Sequence, residues 1–289
     1  MDRLFCDQAL AARIERAEAS FMARCSEAAR DRADGFAIPV AGGVATFAEP
    51  DSPFNKVAGL GFAGVPRADE LTEIEAAFEA RGCPVQAELA ALGEPAIGEL
   101  LTGRGYRLVS FENVLGLVLG EAREVVMPQG IEVRPSGEDE LERWLALDAD
   151  AVAHPDTEGV PSHEDFPYEV VENANRDMVA AGIRRYSALR DGTLAGVASF
   201  RVSGGIAQLT GAATAPAHRR HGVQSALLAA RLADATAAGC DLAVVTTQPG
   251  SKSHQNAQRQ GFDLLYTRAI LVRPGPAAST VDKRSARVR

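Results

Sequence analysis

Two kinds of hydrophobic spacing alternate along this chain. Stretches such as GGVATFAE, NKVAGLGFA, YSALRDGTLAGVASFRV and IAQLTGAAT alternate or run apolar as sheet strands do. Between them, apolar residues recur every third or fourth position, as at Val223, Leu227, Leu228 and Leu232, and predict helices with one buried face. Asp191-Gly192, set between two apolar runs, predicts a tight hairpin turn.

The elements come in two copies. EIEAAFEARGCPVQAELAALGEPAIGELLTGRGYRLVSFENVLGLVL and LAARLADATAAGCDLAVVTTQPGSKSHQNAQRQGFDLLYTRAILV share a template of helix, Gly-Cys, apolar strand, short helix and Gly-aromatic-x-Leu. Gly82 to Gly105 spans 23 positions and Gly239 to Gly261 spans 22, so the copies keep register within one residue. Each helix ends at a glycine, where a left-handed cap costs least, and a strand follows. A new strand, IEVRPSG, restarts the pattern after EAREVVMPQG at 121–130. The expected fold is α/β (α+β), with tandem units over 1–121 and 122–273, each a mixed, mostly antiparallel sheet flanked by helices. The end, 274–289, mixes Pro, Ala, Ser and basic residues without apolar periodicity and reads as a flexible tail.

Composition narrows the function classes. The 289 residues are 46% hydrophobic and 24% charged, which suits a folded globular chain with room for two domains. Acidic residues outnumber basic ones 39 to 30, leaving no broad footprint for nucleic acid or an anionic membrane. A cationic amine would suit that field, as would plain solubility. Cys6, Cys25, Cys83 and Cys240 are scattered, with no CxxC pair, and read as reduced core thiols rather than metal ligands. Charge interrupts the N-terminus throughout, so neither a signal peptide nor a membrane span is expected and the default compartment is the cytoplasm. Oligomeric state has no readable code, with a homodimer as one option.

The chemistry concentrates in LTGAATAPAHRRHGVQSALLAARL. A strand ends near Thr214, Pro216 forbids its continuation, and a helix begins just past Gly222. The first N–H groups of that helix lack intrahelical acceptors and the macrodipole is positive there, so a phosphate is a natural guest. Gly222 lets the backbone approach closely, and Arg219 and Arg220 add charge. The passage resembles the phosphate-binding motif of the GNAT acetyltransferase superfamily, Arg/Gln-x-x-Gly-x-Gly/Ala, with Arg219, Arg220, His221, Gly222, Val223 and Gln224 in those places. Gln224 departs from the pattern by replacing the small residue.

The resemblance covers roughly 131–273 and implies acetyl-coenzyme A (acetyl-CoA) as cosubstrate. It implies that Ala212, Ala213 and Thr214 offer backbone groups to the pantetheine arm and that Arg220 to Ser225 hold the pyrophosphate. Asn256, in SKSHQNAQRQGFDLLY, is read as a partner of either the cofactor arm or the neighbouring loop. The first half writes ADELTEIEAAF where the loop should be, so Asp69, Glu70 and Glu73 would repel a diphosphate. A tandem family member with a degenerate N-terminal copy is therefore expected.

The implied activity is N-acetyl transfer to a primary amine, either a small molecule or a protein N-terminus, by direct attack. Its proton carriers are the weakest part of the resemblance. Ala257 stands where many relatives place a tyrosine acid, and IAQLTGAAT offers only Gln208 and Thr210 in place of an acidic base. Tyr266 is the candidate acid, with a core role as the alternative. His154, Asp156, Glu158, His163, Glu164 and Asp165 crowd one loop, from which His154 and Glu158 are candidates for acceptor recognition. No metal is expected, since that spacing matches no familiar ligand set. The competing readings are a non-catalytic acyl-CoA sensor or interaction protein, and an acylator of aminoacyl-tRNA. The acidic balance weighs against the last of these.

Overall fold

A computed structural model describes residues 3–120, 127–154 and 166–275. The first half runs α1 (Gln8–Ala28), a single turn α2 (Arg30–Ala33), β1 (Phe36–Val40), β2 (Gly43–Phe47), β3 (Lys56–Leu60), α3 (Ala68–Glu79), β4 (Val85–Ala90), α4 (Ala96–Gly103) and β5 (Arg107–Val118). The second runs β6 (Ile131–Pro135), α5 (Leu141–Ala153), α6 (Tyr168–Ala180), β7 (Arg184–Arg190), β8 (Thr193–Ser203), β9 (Ile206–Thr214), α7 (Val223–Ala237), β10 (Leu242–Thr247), α8 (Lys252–Arg259) and β11 (Asp263–Arg273). Among the described residues no helix is long and apolar enough to cross a membrane.

Local chemistry explains the element ends. α3, α4, α7 and α8 each stop at a left-handed glycine. The next residue's N–H then reaches five residues back: Cys83 to Phe78 O, Tyr106 to Leu101 O, Cys240 to Ala235 O and Phe262 to Ala257 O, at 3.0–3.1 Å. Those four residues are all buried, so the Gly-Cys and Gly-aromatic pairs of the repeat are Schellman caps with their hydrophobic contacts. Asp191 and Gly192 both adopt positive φ, as a type I′ hairpin requires, and join β7 to β8.

The halves repeat in sequence but share one eleven-stranded sheet, in the order β1-β2-β3-β4-β11-β5-β10-β9-β8-β7-β6. Each half lends its last strand to the other: β11 pairs with β4, and β5 pairs with β10. The lent strands meet at the centre, where Glu112 of β5 lies opposite Arg268 of β11. These two residues occupy equivalent places after Gly105 and Gly261, so a pseudo-twofold axis passes between them. The exchange means that a cut between 121 and 122 divides the chain without dividing the sheet; 121–126 and the tail beyond Gly275 lie outside the described residues.

Helices cover both faces. α7 packs Val223, Ala226 and Leu227 on Ala198, Phe200 and Leu209, while α5 packs Trp144 and Leu145 on Val197 and Ala213 of the opposite face. Trp144 is fully buried and donates from its indole nitrogen to Tyr186 O at 3.1 Å. On that face too lies α1, whose Glu15 accepts from Arg268 Nε at 2.7 Å and from the Tyr266 hydroxyl at 2.7 Å. Glu88 and Glu112 also approach Arg268, at 3.5 and 3.6 Å.

Candidate functional site

A cleft opens where two neighbouring strands part. β9 and β10 pair in parallel only from Ile206–Leu242 to Gln208–Val244 and then diverge. A bulge in β9 accompanies the split, the register jumping between the Ala198–Ala212 and Phe200–Leu209 pairs. It flips the strand's phase: Leu209 faces α7, whereas Ala213, four residues on, faces α5 instead. The gap holds about 770 Å³ and runs through the sheet, walled by Leu209 to Thr214, by Val245 to Thr247, by the first turn of α7, by α8 and by Asp148, Ala151 and Val152 of α5.

β9 presents backbone to this space. Ala215 N–H bonds Ala195 O, so 215–195 and 213–197 are the hydrogen-bonded pairs of the β8–β9 ladder. The alternation turns the N–H and C=O groups of Ala212 and Thr214 away from β8 and toward the cleft.

At one end of the cleft, a 3-10 turn, Pro216–His218, leads into a loop with Arg220 and Gly222 both left-handed, at φ +64° and +86°. Gly222 is the N-cap of α7; it brings no side chain to the first-turn amides, and that turn holds no acidic residue. A Cβ there would stand 3.0 Å from Pro128 Cγ, so both the dihedral and the space call for glycine. Arg219 and Arg220 line the cleft, and Arg219 donates to the carbonyl of His154. Val223, Gln224 and Ser225 line it as well, whereas His221 is exposed outside the lining. The first-turn N–H groups and two guanidinium groups make an anion site with the polarity a diphosphate needs.

Gln224 and Asn256 touch across the cleft, Asn256 Nδ2 donating to Gln224 Oε1 at 2.8 Å. This contact ties α8 to the first turn of α7. Ser251 caps α8 by accepting from His254 N–H at 3.1 Å, which fixes where Asn256 projects.

The other candidates fall differently. Tyr266 is 5% exposed, packs with Ile14, Val114 and Val244, and spends its hydroxyl on Glu15; it is not on the cleft wall. Burial, first, and the Glu15 carboxylate push its phenol well above the usual range, so the candidate acid is a core residue. The reason is position: β11 is a central strand, covered on the α1 side where Tyr266 points. His154 ends α5 with an exposed imidazole beside Asp150 and offers the cleft only its carbonyl, through Arg219. Glu158 lies outside the described residues, as do Asp156, His163, Glu164 and Asp165.

The cleft also holds residues that sequence reasoning passed over: Asp148, His218 and Arg231. Arg231 is buried, and its guanidinium donates to the carbonyls of Leu227, Ser199 and Gly211. Burial lowers its pKa to about 10. The signal for Asp148 and Arg231 was present, since each interrupts the apolar stripe of its helix.

The equivalent place in the first half is closed. A Cβ on Gly61, just past β3, would stand 2.9 Å from Gly93 Cα, so the chain after β4 fills the gap that β9 and β10 leave open. At the start of α3, Glu70 accepts from Arg67 N–H at 2.8 Å and Asp69 holds the Arg67 guanidinium at 3.0 Å. The helix satisfies its own N-terminus with carboxylates.

Residues 142–262 match the acetyltransferase (GNAT) family. Among solved structures, a GCN5-related N-acetyltransferase from Kribbella flavida is 20% identical, with a TM-score of 0.63 over 89% of this chain and 96% of its own. A tandem GNAT protein from the clavulanic acid biosynthesis pathway is 15% identical, with a TM-score of 0.58 over 94% and 95%. A functionally unknown conserved protein from Staphylococcus epidermidis is 10% identical, with a TM-score of 0.58 over 84% and 95%. No curated protein matches the chain in sequence. At these identities the likeness speaks for the fold alone, and it extends across both halves. The glycine loop, the parted strands and the family match all fall in the second half, where residues 142–262 are similar to the acetyltransferase (GNAT) family.

Proposed function

We propose that this chain transfers an acetyl group from acetyl-CoA to a primary amine, either a small molecule or a protein N-terminus, by direct attack and without a covalent enzyme intermediate. The observation that carries this reading is the anion cradle at Arg219–Ser225 standing at one end of a cleft that passes through the sheet. The α7 amides with Arg219 and Arg220 would hold the diphosphate. The N–H groups of Ala212 and Thr214 suit the pantetheine arm and the thioester oxygen, where a backbone donor can stabilise developing negative charge. When bound, acetyl-CoA supplies the activated acyl carbon and a thiolate leaving group. The α5 side of the cleft is left for the acceptor.

The test is thiol release from acetyl-CoA across a panel of primary amines, with calorimetry of coenzyme A binding alongside. Turnover on at least one amine is expected. The Gln224–Asn256 contact favours a second reading, an acyl-CoA sensor, because it occupies a donor that could meet the arm; binding without turnover on any amine would select it. The same contact gives a prediction: Gln224→Ala releases Asn256 and is expected to tighten coenzyme A binding by about three- to tenfold, the scale of one hydrogen bond of about 1 kcal/mol. Unchanged or weaker binding by calorimetry would show that Gln224 is no competitor.

A further inference from the structure

Asp148 takes no part in the cradle, yet it lines the cleft from the α5 side while only 7% exposed. It belongs to the buried stripe of α5, with Trp144, Leu145 and Ala149, where a carboxylate is costly unless something answers its charge. One oxygen is answered. Asn175 on α6, 2% exposed, donates from Nδ2 to Asp148 Oδ2 at 2.8 Å. The other, Oδ1, stands 3.6 Å from where a Cβ of Gly211 would be, directly beside the β9 bulge. Among the described residues it has no hydrogen-bond donor and no cation partner. The buried cation of the cleft wall, Arg231, is committed to three carbonyls.

The geometry points to Asp148 as the catalytic proton acceptor and the anchor of a positively charged primary amine entering from the α5 side. This rests on the acetyltransferase reading and adds to it the charge state of the acceptor. An ammonium group is the partner that a buried, half-satisfied carboxylate lacks. The amine gives one proton to Asp148 Oδ1, its freed lone pair attacks the thioester carbon, the C–N bond forms and the C–S bond breaks. The second nitrogen proton goes to the leaving thiolate, and the proton on Asp148 leaves to solvent. Gly211 and Ala212 lie beside the carboxyl, where β9 also turns backbone N–H groups into the cleft, so base and oxyanion donors face one reacting centre.

Burial holds the carboxyl above the usual aspartate range, with the Asn175 hydrogen bond opposing it; no charged group on α6, β8 or β9 contributes. A base must be ionised to act, so kcat/KM is expected to fall as pH drops through that raised value, placing the acid limb above the usual aspartate range. The experiment begins with the wild-type chain: coenzyme A binding and thiol release with primary amines over pH 4–9. Neither binding nor release would overturn the acetyl-transfer reading itself, before any variant is made. With turnover in hand, Asp148→Asn is expected to keep coenzyme A affinity within about twofold and to lose about 100-fold or more in kcat/KM. Asn175→Ala, which leaves the carboxyl in place, is expected to move the acid limb to higher pH. Wild-type kcat/KM in Asp148→Asn would overturn the proposal. Should that variant not fold, an acid limb that stays put in Asn175→Ala would overturn it too.

Discussion

Gly222→Glu is expected to lose coenzyme A binding by at least about a thousandfold while the chain still unfolds cooperatively. Three effects add. The residue at 222 holds φ +86°, and a side chain there meets Pro128 Cγ at 3.0 Å, a strain of about 1–3 kcal/mol. The new carboxylate can take first-turn amides for itself, just as a carboxylate, Glu70, takes the N-cap N–H of Arg67 in the first half. It also sets a negative charge where two or three charge-assisted contacts of about 1.5–3 kcal/mol each would otherwise form. The acid favours the helix N-terminus by about 0.3–1 kcal/mol, which offsets part of the strain, so the fold should survive. Gly222→Ala separates the causes: it carries the strain without the charge and should cost binding about tenfold. Calorimetry and urea unfolding on both variants decide; wild-type affinity in Gly222→Glu would dismiss the cradle.

Much of this cradle could be read from residues alone, because its parts are local. Pro216 ends a strand, Gly222 starts a helix, and the charges lie within the same loop, so spacing and structure carry the same information. The helix caps at Gly82, Gly105, Gly239 and Gly261 were legible for the same reason. Pairing between distant strands is another matter. β5 and β11 carry the same local pattern, and either would sit equally well beside its own half; only the folded sheet shows that they change places. Tyr266 was misjudged through that gap. On an outer strand its hydroxyl would reach a rim, but β11 is central, and the exchange sets Tyr266 beneath α1. Asp148 shows the reverse case, a chemical residue hidden in a helix pattern. Its place between Leu145 and Ala149 marks a buried face, and a carboxyl on a buried face needs a reason.

The exchange of strands also creates a buried electrostatic demand, and from it the second expectation: Arg268→Met should destabilise the chain by about 3–5 kcal/mol at neutral pH. Arg268 is 1% exposed and faces Glu15, Glu88 and Glu112, each lent by a different element of the first half. Methionine fills much of the volume, so packing is a minor part of the loss. The major part is stranded charge, since Glu88 retains Lys56 at 2.5 Å but Glu15 keeps only the Tyr266 hydroxyl. In the wild type, Lys56 and Arg268 together outweigh burial and hold Glu88 below the usual carboxylate range. Burial already raises Glu112 to about 7 in the wild type; without Arg268 both Glu112 and Glu88 are pushed upward, so the folded variant binds protons more tightly than its unfolded chain. Stability then falls as pH rises through the raised values, and the deficit relative to wild type should be larger at pH 8 than at pH 5. Adding Glu15→Gln to Arg268→Met removes the stranded charge and should recover part of the loss. Urea denaturation at the two pH values measures all of this. A deficit equal at both would mean that Arg268 serves the central seam by packing rather than by charge.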